Sequence, residues 1–271
     1  NSLLEKTIKL GFIARMLSIF RVRKVMIYKD KSINVDDEVL ICKLLNYMIC
    51  PQYLRRKVFP LDPDLKYVGL LPPLQTPNHP LEKKMDELPE VSYREGLIVK
   101  KDGNRYLIDA GLDMLLAVHD NKARRVGERV IIMISRHKEK VEVQIVNKDD
   151  VPYYFGYEVE ATRRGLKDLI KMHASERLII ATSKYGKSIE AVALNLIEKL
   201  KERKGRVLVI FGSPSKGLYD IARYEGFNLN DFVDFTINFV PNQGTKTIRT
   251  EEAVGIVLAI LNLLSLSLIH I

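Results

Sequence analysis

Residues 181–188 read ATSKYGKS, and they follow an apolar strand and open a helix, as a phosphate-binding loop does. In such a loop the backbone amides surround a phosphate, Lys187 would contact the terminal phosphate, and Ser188 would bind magnesium. Ala181 replaces the glycine whose conformational freedom this loop needs. The next strand runs into Gly212 instead of ending at an acidic residue that could hold the metal. Both departures count against a phosphate loop, so nucleotide binding through Gly186-Lys187-Ser188 is kept only as an alternative.

Two further segments combine glycine or proline with many polar side chains. Residues 212–218 read GSPSKGL and follow the apolar run VLVIF. They predict a sharp turn at the carboxyl end of a strand, where open α/β sheets bind ligands. Residues 238–252 read NFVPNQGTKTIRTEE and join the last predicted strand to the last helix. They contain more polar groups than a short connection needs, so both segments are candidate binding loops.

With the N-terminal region, these segments resemble the SPOUT superfamily of trefoil-knotted RNA methyltransferases. The superfamily pattern G-x-I-x-R-T-A-x-x-F-G-V is matched at Gly11, Ile13, Arg15, Phe20 and Val22. Its strand followed by G-x-E-x-x-G-L is similar to FGSPSKGL, which lacks the acidic residue. Its I-P-M-x-G and S-L-N-V-S-V-A patterns are similar to VPNQG and TIRTEEA. The layout most resembles the archaeal and eukaryotic branch in which an OB-like insert splits the SPOUT domain.

The resemblance implies a bent S-adenosylmethionine, held mostly by backbone groups, with S-adenosylhomocysteine as the product. It implies that the last part of the chain threads a deep trefoil knot, and that two copies form a homodimer through the knot helices. The implied substrate is RNA, either ribosomal or transfer RNA. The cofactor-binding positions that it implies are Thr182, Ser183, Gly212, Ser213, Pro214, Gly217, Leu218, Asn238, Val240, Pro241, Asn242, Gly244, Thr245, Thr247 and Ile248.

Methyl transfer requires a positioned acceptor that can lose its proton. In related ribose methyltransferases, an arginine at the Arg15 position assists that loss or binds a phosphate. A structural pairing of Arg15 with a carboxylate at a subunit interface is an equal alternative. Arg249 and Glu251 are local catalytic candidates, because they lie near the expected position of the methyl group. None of the five histidines stands out, and no metal site is predicted.

The scaffold that must position these segments is predicted to be an open, mostly parallel α/β sheet. After residue 159, helices and strands alternate. The runs RLII and VLVIF are continuously apolar, which is typical of strands covered on both faces. The predicted domain is discontinuous, with residues 1–88 and 157–271 forming the methyltransferase domain around an insert at 89–156.

The insert is predicted to be a small antiparallel barrel of the OB or S1 kind. Five short strands follow one another between residues 95 and 146, and Asp102-Gly103 predicts a hairpin turn. Barrels of this kind often bind single-stranded nucleic acid through basic and aromatic side chains. RNA contact is one hypothesis and a structural spacer the other. The candidate RNA contacts are Tyr93, Tyr106, Arg124, Arg125, Arg129 and Arg136.

Composition excludes a disordered chain and a disulfide-rich mini-protein, because 46% of the residues are apolar and 28% charged. The net charge of +9 permits a polyanionic partner. Cys42 and Cys50 lack metal-ligand spacing and predict buried, reduced thiols in a cytoplasmic protein. Residues 253–271 carry no formal charge and are long enough to cross a bilayer. We interpret them as a buried dimer helix, with no membrane partner.

Two other classes of function stay open at this point. One is the nucleotide-binding protein introduced above, which ATP with magnesium would identify. The other is a non-catalytic RNA-binding or ribosome-assembly protein with a relict cofactor pocket, which would bind RNA but no cofactor. The missing acidic residue in FGSPSKGL keeps this second alternative open.

Overall fold

The computed structural model describes residues 2–30, 36–137 and 140–266. The chain forms two compact units, one of residues 1–43 with 158–271 and the other of residues 44–157. The helices of the described residues are α1 (Leu3–Ile19), α2 (Asp36–Ile49), α3 (Gln52–Val58), α4 (Leu166–His173), α5 (Ile189–Glu202), α6 (Leu218–Tyr224) and α7 (Thr250–Leu266). The strands are β1 (Lys24–Ile27), β2 (Val91–Asp102), β3 (Arg105–Asp109), β4 (Leu116–His119), β5 (Arg129–His137), β6 (Lys140–Val146), β7 (Glu158–Ala161), β8 (Leu178–Ser188), β9 (Val207–Ile210) and β10 (Phe235–Asn238).

The parallel sheet of the first unit has the strand order β10-β8-β9. One face packs on α4 and α6 through residues such as Ile179 and Ile221. The other face packs on α5 and α7 through residues such as Ile180 and Leu196. Apolar burial on both faces is the reason that the strands read as continuous apolar runs. A separate parallel pair, β1 with β7, completes the sheets described in this unit.

The central strand β8 contains a wide irregularity. Ala181 pairs with Thr236, yet the next pair joins Lys187 to Ile237. The five residues 182–186 therefore stand opposite a single step of β10, and we call them the bulge segment. Lys187 is a strand residue in this pairing, so the structure gives no support to a phosphate loop at 181–188.

Helix α1 begins with a reciprocal cap, in which Ser2 and Glu5 each accept the other's backbone N–H, at 3.2 and 2.9 Å. Helices α1 and α7 are in contact. A Cβ at Gly255 would lie 3.1 Å from Sδ of Met16, so the glycine permits this close approach. None of the described helices is long and apolar enough to span a bilayer. The predicted apolar segment continues beyond Leu266, and residues 267–271 lie outside the described part.

The second unit contains an antiparallel sheet with the strand order β4-β3-β2-β5-β6. The edge strands β4 and β6 also lie close to each other, so the sheet is nearly closed. The turn between β2 and β3 uses Gly103 at φ +56°, as the Asp-Gly signal predicts. The interior is apolar and includes Ile98, Ile108 and Ile132. The predicted five-strand barrel-like insert is confirmed, while its predicted limits at 89–156 stay a prediction.

Candidate active site

Three segments lie at the carboxyl edge of the parallel sheet, one within the last part of β8 and two after the ends of β9 and β10. They are the bulge segment, the turn after β9 (residues 211–217) and the long loop (residues 239–249). The Thr182 hydroxyl donates to the Ile210 carbonyl at 2.9 Å, and the Asn238 side-chain amide donates to the Lys184 carbonyl at 3.0 Å. These two bonds fasten the bulge segment to both neighbouring strands. The structure therefore brings the three predicted binding segments together.

The bulge segment is shaped by its own polar groups. Ser183 Oγ accepts the backbone N–H of Tyr185 at 3.2 Å, which tightens the turn. A Cβ at Gly186 would lie 2.6 Å from the Thr236 carbonyl oxygen, so this position needs glycine. At the end of β8, the Ser188 hydroxyl is buried and has no hydrogen-bond partner among the described residues. A polar ligand at this sheet edge would find an uncommitted hydroxyl there.

The turn after β9 is closed by one serine. Ser213 Oγ accepts the Lys216 N–H at 3.1 Å and lies 3.4 Å from the Lys216 carbonyl, to which it donates. A Cβ at Gly212 would lie 2.7 Å from that same carbonyl oxygen. The half-buried Tyr28 hydroxyl donates to the Phe211 carbonyl at 3.0 Å, and desolvation raises the pKa of this tyrosine. The shape of the turn is thus held by the protein's own hydrogen bonds.

The same turn leads directly into a helix. Gly217 occupies the N-cap position of α6, and Leu218 is fully buried beneath it. A Cβ at Gly217 would meet nothing closer than Asp220 Oδ2 at 3.9 Å, unlike the crowded Gly212. Pro214 lies in the exposed part of the turn. Of the two glycines in the predicted motif, only Gly212 is required by close packing.

The long loop is held by short-range hydrogen bonds. Asn238 Oδ1 accepts the Val240 N–H at 3.0 Å, which fixes the start of the loop. The Gln243 amide donates to the Thr245 carbonyl at 2.7 Å, and the Thr245 hydroxyl donates to the Thr247 carbonyl at 3.0 Å. The predicted positions Pro241, Asn242, Gly244 and Ile248 lie between or beside these bonds, three of them exposed and Ile248 half-buried.

The catalytic candidates lie on α1 and where the long loop enters α7. The Arg249 N–H donates to the Glu252 carboxylate at 2.8 Å, which caps the helix. Glu251, with a side chain only 15% exposed, has a carboxylate oxygen 3.8 Å from the Lys9 ammonium. Arg15 lies half-buried on the same helix as Lys9. Sequence reasoning missed Lys9, because no local pattern connects it with a residue more than 200 positions away.

The proposed RNA contacts of the insert are mostly engaged within their own unit. Tyr106 is fully buried, so it is wrong as a surface stacking residue. Arg124 forms ion pairs with Asp120 and Glu128 at 3.0 and 2.7 Å. The pKa of Asp120 is lowered by the backbone N–H of Lys122 and then by Arg124, and the pKa of Glu128 is lowered first by Arg124.

Two other arginines of the insert are engaged in the same way. Arg129 pairs with Glu95, and Arg136 donates to the Leu88 carbonyl at 2.6 Å. Arg125 is exposed, and Tyr93 is half-buried with its ring against that of Tyr153 at a centroid distance of 5.8 Å. Little of the basic charge predicted for this surface is therefore left for a ligand.

A parallel sheet with polar loops gathered at its carboxyl edge defines an enzyme-like α/β architecture. The model of the family described as "Putative RNA methyltransferase" matches residues 1–261. The chain therefore belongs to this family, and the predicted membership of an RNA methyltransferase family is confirmed.

Curated relatives agree with this family. A Drosophila melanogaster protein named 28S rRNA (uridine-N(3))-methyltransferase is 30% identical over 93% of this chain, which spans 56% of that protein. The human protein of the same name is 28% identical over 94% of this chain and 72% of its own length. An uncharacterized protein of Halobacterium salinarum is 30% identical, over 92% of this chain and 89% of its own length.

Proposed function

We propose that this protein transfers a methyl group from S-adenosylmethionine to RNA, and that the acceptor is N3 of a uridine in large-subunit ribosomal RNA. The observation that carries the proposal is the meeting of the three loops at one sheet edge. The substrate follows from the names of the insect and human relatives, and the methyl donor from the family. We propose this activity for the 271-residue chain, which spans about half the length of the insect relative.

The residues of the three loops fit an adenosyl cofactor. Two loops are closed by their own side chains, Ser183 in one and Ser213 in the other, so the contacts they offer are largely backbone groups. Gly186 and Gly212 keep the backbone close-packed where a Cβ would collide. The buried Ser188 hydroxyl lacks a partner among the described residues, and leaving such a group unpaired costs about 1–3 kcal/mol. A ribose or carboxylate oxygen of the cofactor would relieve that cost.

When bound, S-adenosylmethionine supplies an electrophilic methyl group, whose carbon–sulfur bond breaks as the acceptor electron pair forms the new bond and leaves S-adenosylhomocysteine. For N3 to supply that electron pair, the protein must orient uracil and remove the N3 proton before or during the transfer. We propose that Glu251 is the base that accepts this proton; its carboxylate lies near Lys9 at the start of α7. We propose that Arg249 stabilises the negative charge that develops on a uracil oxygen, and that Arg15 binds the phosphate of the target nucleotide.

We also propose that the C-terminal part of the chain is knotted and that the protein is a homodimer. The dimer is supported by an exposed apolar face on α1, where Ile8, Phe12 and Ile19 are 51%, 46% and 50% exposed. Their spacing of four and seven residues places them on one side of the helix. Leu263 of α7 is 65% exposed. Sedimentation of the wild type and of Phe12→Glu should show a dimer and a monomer, respectively, and a monomeric wild type would contradict the proposal.

The test of the proposed function has two stages. Calorimetric titration should show binding of S-adenosylmethionine and S-adenosylhomocysteine and no binding of ATP with magnesium. Incubation with unmodified large-subunit rRNA, followed by nucleoside mass spectrometry, should then show 3-methyluridine. Binding of ATP alone would overturn the proposal, and RNA binding without cofactor binding would favour the non-catalytic alternative.

A pair of variants tests the assigned base. Glu251→Gln should retain cofactor binding and lose about 100-fold or more of the methylation rate, since general-base catalysis contributes roughly that factor. Glu252→Gln is the matched control, because it makes the same charge change one residue away and can still accept the Arg249 N–H. Equal rates for the two variants would show that Glu251 does not remove the proton.

A further inference from the structure

The three loops carry basic residues and no acidic ones of their own. Residues 182–186, 211–217 and 239–249 contain no aspartate or glutamate. Their four basic residues are Lys184, Lys216, Lys246 and Arg249. Such a concentration of one sign around a site attracts a polyanion and accelerates its association.

Two exposed tyrosines belong to elements that adjoin this sheet edge. Tyr185, in the bulge segment, is 75% exposed, and Tyr224, the last residue of α6, is 61% exposed. A single exposed tyrosine is ordinary on a protein surface, so the groups beside each ring matter more than its exposure. Tyr224 ends α6, and its ring lies beside Lys216 of the turn after β9, where that helix begins.

Each exposed ring has a lysine beside it. The Lys184 ammonium lies 5.0 Å from the centroid of Tyr185, and the Lys216 ammonium lies 5.3 Å from the centroid of Tyr224. The backbone of each lysine is fixed, that of Lys184 by Asn238 and that of Lys216 by Ser213. A flat aromatic face next to a cation matches one base and its phosphate, and this combination occurs in proteins that bind single strands.

We propose that Tyr185 with Lys184 and Tyr224 with Lys216 form two stacking sites for unpaired bases of a single-stranded RNA segment that carries the target nucleotide. The inference rests on the proposed function for the identity of the polymer. Single-stranded RNA fits better than a duplex, because the face of a paired base is covered by its neighbours and cannot reach the exposed rings. It fits better than a protein partner, because the surrounding loops are basic without acidic residues.

The test compares two probes that differ only in their bases. One is an oligouridine of about 12 nucleotides, a length within the range of single-strand sites, and the other is its abasic phosphoribose counterpart. Tyr185→Ala and Tyr224→Ala should each weaken oligouridine binding by about 5- to 150-fold and leave abasic binding unchanged. Tyr185→Phe and Tyr224→Phe should bind like the wild type, because a phenyl ring still stacks.

The lysines are tested by salt dependence. Lys184→Met and Lys216→Met should each reduce the slope of log affinity against log salt by about 0.7, the value per phosphate contact on a single strand. The tyrosine variants should leave this slope unchanged. Tyr67→Ala is the control, because Tyr67 also has a lysine over its ring, Lys66 at 5.3 Å, but belongs to the other unit. It should bind both probes like the wild type.

Three results would overturn the inference. They are unchanged oligouridine binding in both alanine variants, equal weakening for the two probes, and a change of oligomeric state, which would make a second copy the occupant of the tyrosines. Cofactor binding is measured on the same samples. Its absence from the wild type would count against the proposed methyl transfer alone, while intact cofactor binding with unaltered RNA affinity in the variants would count against the stacking sites alone.

Discussion

The two units of the chain use their polar side chains in opposite ways. In residues 44–157, Arg94 is 1% exposed and donates to the Ala110 and Glu82 carbonyls at 2.9 and 3.1 Å. Glu95 in the same unit accepts from Asn78 and from Arg129. In the loops of the other unit, side chains bond to nearby backbone, and the basic groups extend into solvent. The net charge of a unit therefore does not predict whether it binds a polyanion, because basic side chains that are paired within the unit are not available to a ligand.

The largest effect is expected from breaking the interior of the second unit. Arg94→Met removes two hydrogen bonds from a charged donor, which contribute about 1.5–3 kcal/mol each. It should lower the free energy of unfolding by about 3–6 kcal/mol, measured by urea titration with tyrosine fluorescence. Arg125→Met, at an exposed position of the same unit, should change it by less than about 0.5 kcal/mol. Similar values for both would show that the buried arginine does not stabilise this unit.

The second prediction concerns the pH dependence of the stability of the same unit. His79 is buried, its Nε2 lies 2.8 Å from the Ile49 carbonyl, and burial lowers its pKa to about 4. As the pH falls below 6.5, His79 becomes protonated in the unfolded protein, whereas in the folded protein it stays neutral until about pH 4. Stability should therefore fall by up to roughly 3 kcal/mol as the pH drops through this window, and stay constant above it.

The measurement compares unfolding of the wild type with that of His79→Gln, which keeps a donor toward Ile49 but does not titrate. The difference between the two proteins should depend on pH only between about 4 and 6.5. A difference that is flat across this window would refute the assignment.

The third prediction concerns the loops and is measured as cofactor binding. Gly212→Ala places a Cβ 2.7 Å from the Lys216 carbonyl oxygen, so the turn after β9 must shift. We expect S-adenosylmethionine affinity to fall at least about tenfold, or roughly 1.4 kcal/mol. Gly69→Ala, in the other unit, is the control, because a Cβ there meets nothing within 4 Å, and it should bind normally in the same titration. Equal affinities would mean that this turn does not contact the cofactor.

The smallest effect on stability is expected at the Lys9–Glu251 pair. The two groups are 3.8 Å apart and partly exposed, so Lys9→Met should cost less than about 1 kcal/mol of unfolding free energy. Its effect on methylation should be larger than its effect on stability, because Glu251 loses the cation that holds it near α1. A fall in stability without any change in the methylation rate would leave the ion pair a purely structural role.

Local patterns predicted the elements of this fold better than its site. The alternation of helices and strands after residue 159 and the turn at Asp102-Gly103 follow from apolar periodicity and turn chemistry. Strand β7 was missed, because only Val159 of its four residues is half-buried and its partner β1 lies more than 130 residues earlier.

The candidate site shows the same division. Glycines and prolines allowed the loops to be predicted, because these residues determine local backbone conformation. Three facts had no local signal: the five-residue bulge, the pairing of Lys9 with Glu251, and the burial of Tyr106. Each depends on which distant segment packs beside the residue, and no spacing within one segment encodes that.

The bulge segment has a consequence for how such a protein can diverge. Strand pairing is set before it at Ala181 and after it at Lys187. Thr182, Lys184 and Gly186 hold the segment against the neighbouring strands, which leaves the exposed Tyr185 as a position that can change without altering the register of the sheet. The surface offered at this edge can therefore diverge faster than the strands that carry it.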